Sequence, residues 1–332
     1  MNLSLPGISI IVPTFKRVEQ TRNTLSLLCQ SNGWNSQFFP EVILADSTED
    51  QSIKNLASEF NNPTPVYVAP VVPGIATNKN LGAKTAQNEL LIFCDSDMEV
   101  ESDTLINTLI YLKEHNNSAM VTGQVIWKGG ERDGQLDRPR KEDRMEKIDE
   151  TIFVEAIYSR YMATYKSLFW RVGGYDEKLF NMRGEGSDLS IRYWRSGLPL
   201  SYDEKIKVHH VHDAQSSATR SIENPERGII RDLILLGFKY QISRLDSPNF
   251  AKTLNWLTDQ FGYRDKYIVI ESMIALLPYF WENKERMEKS RQGVPNAYDF
   301  KFLDVFTKRE LFLECIKQAS ERIREARVKV FK

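Results

Sequence analysis

Hydrophobic and polar positions follow two rhythms over the first hundred residues. Ile8–Val12 is an apolar run ended by Pro13, the pattern of a parallel strand buried on both faces. Val18–Gln30 changes to helical spacing, with Leu25, Leu28 and Cys29 on one side. Val42–Ala45 reads as a second strand that stops at Asp46. Ile53, Leu56, Ala57 and Phe60 mark a second helix, and Val66–Ala69, Thr77–Ala86 and Leu90–Cys94 continue as strand, helix and strand. This β-α-β-α-β-α-β order predicts an α/β fold, a Rossmann-like parallel sheet with helices on both faces. Ligands of such sheets lie outside the carboxyl ends of the strands. The chain places Pro13-Thr14, Asp46 and Asp95-Ser96-Asp97 there.

The rhythm is lost between Trp127 and Glu150, which are glycine-rich and then densely charged. This stretch reads as a long, mobile surface loop, either a plain solvated insertion or an acceptor-binding one. A short strand near Met162–Thr164, a helix near Ser167–Val172 and the turn Gly173-Gly174-Tyr175-Asp176 follow. Ser187 is expected to cap a helix from Asp188 to Ser196 that Gly197 stops. A last strand with Ile206 and Val208 leads into His209-His210-Val211-His212, and the polar stretch Gln215–Glu223 reads as a linker. Beyond it the pattern is helical. The expected division is an α/β domain over residues 1–217 and a helical C-terminal domain over 218–332.

Composition narrows the partners. A formal net charge of -1 offers no basic face of the kind nucleic acid requires, so no nucleic-acid partner is expected. The three cysteines, Cys29, Cys94 and Cys315, have no metal or redox spacing and suit a reducing compartment. No basic segment of signal-peptide type precedes the first strand. The apolar stretch Tyr267–Trp281 is interrupted by Glu271 and Pro278; it is short for a membrane span and reads as a buried helix. A cytoplasmic location is expected. The basic, roughly amphipathic Arg322–Lys332 reads either as a solvated terminal helix or as a peripheral contact with a partner or the inner face of a membrane.

The candidate chemistry sits at the strand ends. Asp95 and Asp97, one residue apart after a buried strand, form a hard oxygen site that suits Mg²⁺ or Mn²⁺ bridging two phosphates, although acidic turns after strands are common. His209, His210 and His212 lie past the last strand, either as structural or acceptor-side histidines or as a further metal ligand, which would favour Mn²⁺.

Several segments, in order, resemble the family 2 glycosyltransferases of GT-A fold. They are Ile8–Arg17, Asn78-Lys79-Asn80-Leu81-Gly82, Leu91–Asp97, Val172-Gly173-Gly174-Tyr175-Asp176-Glu177 and Gly184–Arg192, together spanning about Ile8 to Ser217. The resemblance implies sugar transfer, with inversion, from a nucleoside-diphosphate sugar to an acceptor hydroxyl on a carbohydrate, lipid-linked or protein acceptor, UDP being favoured over GDP. It implies that Pro13 and Thr14 shape the loop around the nucleoside, with Phe15 and Arg17 on the same donor segment. It assigns Asp46 a hydrogen bond to the base or ribose, the bland alternative being a turn aspartate. Lys79, where the family often has arginine, would meet a phosphate or else be a solvated helix residue. Asp95, with Ser96, would lie near the ribose, Asp97 on the metal, and His210 would be the histidine ligand. The family's usual catalytic aspartate is replaced here by Gly186, which leaves Glu185 and Asp188 as candidate bases.

Two other readings stay open. A nucleotidyltransferase that makes nucleotide sugars has a similar sheet, but it usually carries a glycine-rich loop after the first strand, which Pro13-Thr14-Phe15-Lys16 lacks. A non-catalytic binding module would keep the fold and lose the base, as Gly186 suggests.

Overall fold

The computed structural model describes residues 7–32, 40–61, 64–137, 145–157, 159–180, 184–211, 234–236, 239, 266–292 and 309–331. The strands are β1 (Ile8–Thr14), β2 (Glu41–Asp46), β3 (Val66–Val68), β4 (Leu90–Cys94), β5 (Met98–Val100), β6 (Met120–Lys128), β7 (Leu136–Asp137), β8 (Met145–Ile148), β9 (Thr151–Val154), β10 (Tyr161–Tyr165) and β11 (Leu200–Val211). The helices are α1 (Val18–Gln30), α2 (Ser52–Ala57), α3 (Ile75–Thr85), α4 (Thr104–Glu114), α5 (Lys166–Arg171), α6 (Glu185–Arg195), α7 (Lys266–Ala275), α8 (Leu277–Gln292) and α9 (Arg309–Val328).

The strands make one mixed sheet in the order β3-β2-β1-β4-β10-β6-β11-β9-β8, with β5 added on β11 and β7 on β6. β3, β2, β1 and β4 are parallel, as the alternation predicts. β10 enters antiparallel between β4 and β6, and β11 runs parallel to β6. Every residue of β1, β4 and β10 is buried. Successive side chains of a strand point to opposite faces, so both faces of the sheet centre are covered. α3 packs on β1 and β2. A Cβ at Gly82 of α3 would stand 2.4 Å from Ile11 Cγ2, so the glycine is what lets helix and strand approach. The chain leaves β1 toward β2 and returns to β4 on the other side. This reversal opens the crevice in which open α/β sheets bind ligands.

β11 carries a bulge: its pairing with β6 shifts register between Asp203 and Lys207. Gly123 of β6 makes room for it, since a Cβ there would lie 2.1 Å from the Ile206 carbonyl oxygen. Backbone cannot rotate away as a side chain can. Gly123→Ala is therefore expected to destabilise the fold by about 1–3 kcal/mol, read as a lower urea midpoint. An unchanged midpoint would show that the bulge yields freely.

Four expectations need correction. The stretch from Trp127 to Glu150 is not one long loop: Trp127 and Lys128 finish β6, Leu136–Asp137 pairs with it as β7, and Met145–Ile148 forms a hairpin with β9. Ser187 does not cap α6, which starts at Glu185 after Gly184 in a left-handed conformation (φ 75°). Gly197 does end it, with φ 66°. His209 and His210 do not follow the last strand but lie inside β11. Tyr267–Trp281 is split between α7 and α8 just before Pro278, and Ile270, Ile274 and Trp281 are exposed. His212 and Gln215–Glu223 lie outside the described residues.

The apolar stripe of α9, Cys315, Ala319, Ile323 and Ala326, is buried, and the helix packs against α5. Arg322 Nη1 donates to the Ser196 carbonyl at 2.6 Å, and Arg327 donates to that of Lys113. These carbonyls stand at the C-terminal ends of α6 and α4, where a cation offsets the partial negative charge of the helix. The stripe is thus covered by the protein's own fold. No described helix is long and apolar enough to cross a membrane, and the three cysteines are free.

Candidate active site

Three polar stops meet at the carboxyl ends of β1, β2 and β4. Asp46, fully buried, fastens the first two: its Oδ1 accepts from Thr14 Oγ1 (2.8 Å), Thr48 N (3.0 Å) and Thr48 Oγ1 (2.6 Å), and its Oδ2 from the Tyr67 hydroxyl (3.2 Å). Pro13 and Thr14 end β1 and are buried. Lys16 takes a left-handed turn (φ 59°) and donates its N–H to Thr48 Oγ1, which brings Phe15 and Arg17 round toward β4. Arg17 there pairs with Asp97. Ser96, between the two aspartates, is buried, and its carbonyl accepts from Thr24 Oγ1 of α1 at 3.0 Å.

The Asn78-Lys79-Asn80-Leu81-Gly82 segment of α3 is a set of anchors. Asn78 Nδ2 donates to the Thr14 carbonyl and its Oδ1 accepts from Ser47 Oγ. Asn80 clasps Tyr175 through both backbone groups, at 2.8 Å each. Tyr175 follows Gly173 (φ 90°) and Gly174 (φ 65°); a Cβ on Gly174 would come 2.8 Å from Asn80 Oδ1. Between them, Lys79 is fully buried rather than solvated. Its Nζ donates to the Ser159 carbonyl (2.7 Å) and lies 3.0 Å from Asp95 Oδ1 and 3.9 Å from Glu185 Oε1. Burial raises the Asp95 carboxyl against the opposing charge of Lys79.

The two candidate bases sit in different surroundings. Glu185, in the first turn of α6, is buried, and its Oε1 accepts from Ser159 Oγ at 2.5 Å. Asp188 is fully buried and held on both oxygens: Oδ2 by Arg192 Nε and Nη2, at 2.8 Å each, and Oδ1 by Lys239 Nζ at 2.7 Å. Gly186 has a steric reason. A Cβ there would lie 3.1 Å from Ser159 Cβ and 3.3 Å from its Oγ, so a larger residue would press on the serine that seats Glu185.

Asp97 and His210 converge from β4 and β11, with Asp97 Oδ2 and His210 Nε2 3.2 Å apart. The Asp97 backbone is locked to β11 by the bond from Val211 N to the Asp97 carbonyl. Burial pushes the Asp97 carboxyl up, but the His210 hydrogen bond and the Arg17 charge outweigh it and hold the group below the usual carboxylate range. Two neighbouring ligands on one divalent ion, each with a bond of about 2.1 Å, stand about 3 Å apart. The Asp97–His210 pair has that spacing, and its carboxylate and imidazole suit Mn²⁺. His210 Nδ1 is buried without a hydrogen-bond partner, so packing against the Trp127 ring, 4.3 Å between centroids, orients the imidazole. Among the described residues no three His, Cys, Asp or Glu side chains gather into a closed metal site. Two ligands of this kind would leave the remaining positions of an ion to substrate oxygens and water, as is usual where a metal meets phosphates. Asp95 is engaged by Lys79 instead of completing the pair.

The structure therefore groups Arg17, Asp97 and His210 on one side and Lys79, Asp95 and Glu185 on the other, and sets Asp188 in a separate ion cluster. Ser159, Arg160, whose carbonyl accepts from Asp95 N, and Trp127 join the site without any sequence signal. A cavity of about 1070 Å³ opens elsewhere, beside Asn80, Lys84, Trp170 and Glu177, and none of Asp95, Asp97 and Glu185 lines it.

Residues 9–173 match the family model described as glycosyl transferase family 2. The chain is 28% identical over 123 residues to an uncharacterized glycosyltransferase of Bacillus subtilis (strain 168), covering 36% of this chain and 30% of that protein, so it spans under a third of that relative's length. GalNAc-T7, solved with UDP, GalNAc and Mn²⁺, superposes with a TM-score of 0.54 at 15% identity, over 83% of this chain and 58% of its own. The mannosyltransferase of Pyrobaculum calidifontis, solved with GDP-Man and Mn²⁺, gives 0.52 at 14% identity, over 98% and 87%. At such identities the structures speak for the fold, which is GT-A. Through residues 9–173, this chain belongs to glycosyl transferase family 2.

Proposed function

We propose that the chain transfers a sugar, with inversion, from a nucleoside-diphosphate donor to an acceptor hydroxyl, with UDP favoured over GDP and a divalent cation held by Asp97 and His210. The observation that carries this reading is the convergence of Asp97 Oδ2 and His210 Nε2 at the ends of two strands. The nucleotides and Mn²⁺ bound by the two superposed structures support it. When bound, the cation neutralises charge growing on the leaving diphosphate.

The protein's own groups divide the remaining work. Pro13, Thr14, Phe15 and Ser96 border the nucleoside, and Asp46 holds the β1 and β2 ends in register beneath it. Arg17 guards the Asp97 carboxylate and offers a guanidinium to the diphosphate. Lys79 serves two carboxylates from the buried side, fixing Asp95 next to the ribose and keeping a positive charge 3.9 Å from Glu185. Glu185 takes the acceptor proton. Direct displacement requires a base within hydrogen-bond reach of the nucleophile. Glu185 is seated by one serine, whereas both oxygens of Asp188 are occupied by cations. Gly186 then reflects the space Ser159 needs and not a lost base.

Titration calorimetry with UDP and GDP tests the donor side. UDP is expected to bind in the presence of Mn²⁺ and to lose affinity in excess chelator. Failure of both nucleotides to bind with metal present would overturn the reading.

A further inference from the structure

Lys239 lies far beyond β11 in sequence, yet its side chain ends against Asp176 and Asp188, which follow shortly after the family match. It is fully buried. A buried ammonium is costly unless paired, and this one is: Nζ stands 2.7 Å from Asp188 Oδ1, 3.1 Å from Asp176 Oδ2 and 5.4 Å from the Phe180 ring centroid. Asp188 passes the contact to Arg192, whose Nη1 donates to the Val172 carbonyl at 2.6 Å. Two carboxylates and two cations thus alternate between the Gly-Gly-Tyr-Asp turn and α6.

This cluster bears on the candidate base. Asp188 lies one helical turn after Glu185 on α6, and Asp176 follows Tyr175, which Asn80 clasps next to Lys79. Lys239 therefore closes a circuit from Lys79 through Asn80, Tyr175 and Asp176 to Asp188 and back along the first turn of α6 to Glu185. Without the ammonium, Asp176 and Asp188 lose their shared cation, and α6 is left with the tie from Arg192 to the Val172 carbonyl.

We propose that Lys239 is a positioning residue for Glu185, so that chain beyond β11 completes the acceptor side of the site. The catalytic part of this claim rests on the proposed function; the anchoring part does not. Sugar transfer tolerates little displacement of the base, since a shift of about 1 Å costs about a hundredfold.

The test uses the full chain with Lys239→Met, Lys239→Arg, and the charge-balanced pair Lys239→Met with Asp176→Asn. Hydrogen exchange is followed over residues 185–192 and over β1–β4. UDP–Mn²⁺ binding and UDP-sugar turnover are measured alongside. Lys239→Met is expected to raise exchange over 185–192 at least about a hundredfold while β1–β4 and UDP binding stay near wild type. Turnover should fall about a hundredfold, in kcat and not in donor KM. Lys239→Arg and the balanced pair should restore part of the protection, and they carry the comparison if Lys239→Met does not fold. Unchanged exchange over 185–192, or an equal rise across β1–β4, would overturn the anchor. Loss of donor affinity matching the loss of turnover would overturn the positioning of Glu185. If the wild-type chain turns over no nucleotide sugar, the proposed function falls, and the exchange result still decides the anchor.

Discussion

Asp97→Asn is expected to abolish turnover and to weaken nucleotide binding in Mn²⁺ by about 2–5 kcal/mol, the usual cost of removing one partner of a buried charged contact. Asparagine keeps the shape of the side chain, and the Val211–Asp97 backbone bond is untouched, so the fold should survive. What changes is the donor set: a neutral amide is a poor ligand for a hard cation, and Arg17 loses its carboxylate partner. His210→Ala removes the other converging atom and should lower Mn²⁺ affinity while leaving metal-free nucleotide contacts alone. Calorimetric titration of UDP with and without Mn²⁺ reads both variants. Wild-type Mn²⁺ affinity in His210→Ala would remove His210 from the site.

The second large effect is expected at Glu185. A positioned carboxylate contributes about 10²–10⁴-fold to such a step. Glu185→Gln keeps the bond from Ser159 and removes proton acceptance, so transfer should drop by at least about a hundredfold with nucleotide binding close to wild type. Asp188→Asn should look different. The structure buries Asp188 between Arg192 and Lys239. Uncoupling a buried charge of this kind costs about 3–5 kcal/mol, so the loss should appear first in thermal stability. If Asp188→Asn is stable and inactive while Glu185→Gln is active, Asp188 is the base. Kinetics at saturating donor, paired with thermal melts, separate the two cases.

β1, β2 and β4 were legible because they lie inside the sheet: burial on both faces leaves a continuous apolar run that few other structures produce. The far edge at β8 was not. Met145–Ile148 is partly exposed along its length, and its polar residues look the same in a strand as in a loop. Lys79 misleads for another reason. A lone lysine in an amphipathic helix is usually solvated, and the groups that bury this one, Asp95 and the Ser159 carbonyl, come from distant segments. The same holds for Gly186, whose reason is Ser159, and for Lys239, whose partners Asp176 and Asp188 lie 63 and 51 residues upstream. Sequence shows where carboxylates fall at strand ends; which cation each one meets is decided by tertiary packing.

Asp97, His210 and Glu185 are proposed to cleave a nucleotide sugar together in a metal-dependent reaction. NMR of a panel of UDP- and GDP-sugars incubated with the full chain tests it most directly, because the spectra report donor consumption and the configuration of the sugar as it is first released. The expected result is consumption of a UDP-sugar in Mn²⁺, none in excess chelator, and release with the anomeric configuration inverted. Undiminished consumption in chelator, retained configuration, or no consumption of any donor with Mn²⁺ present would contradict it.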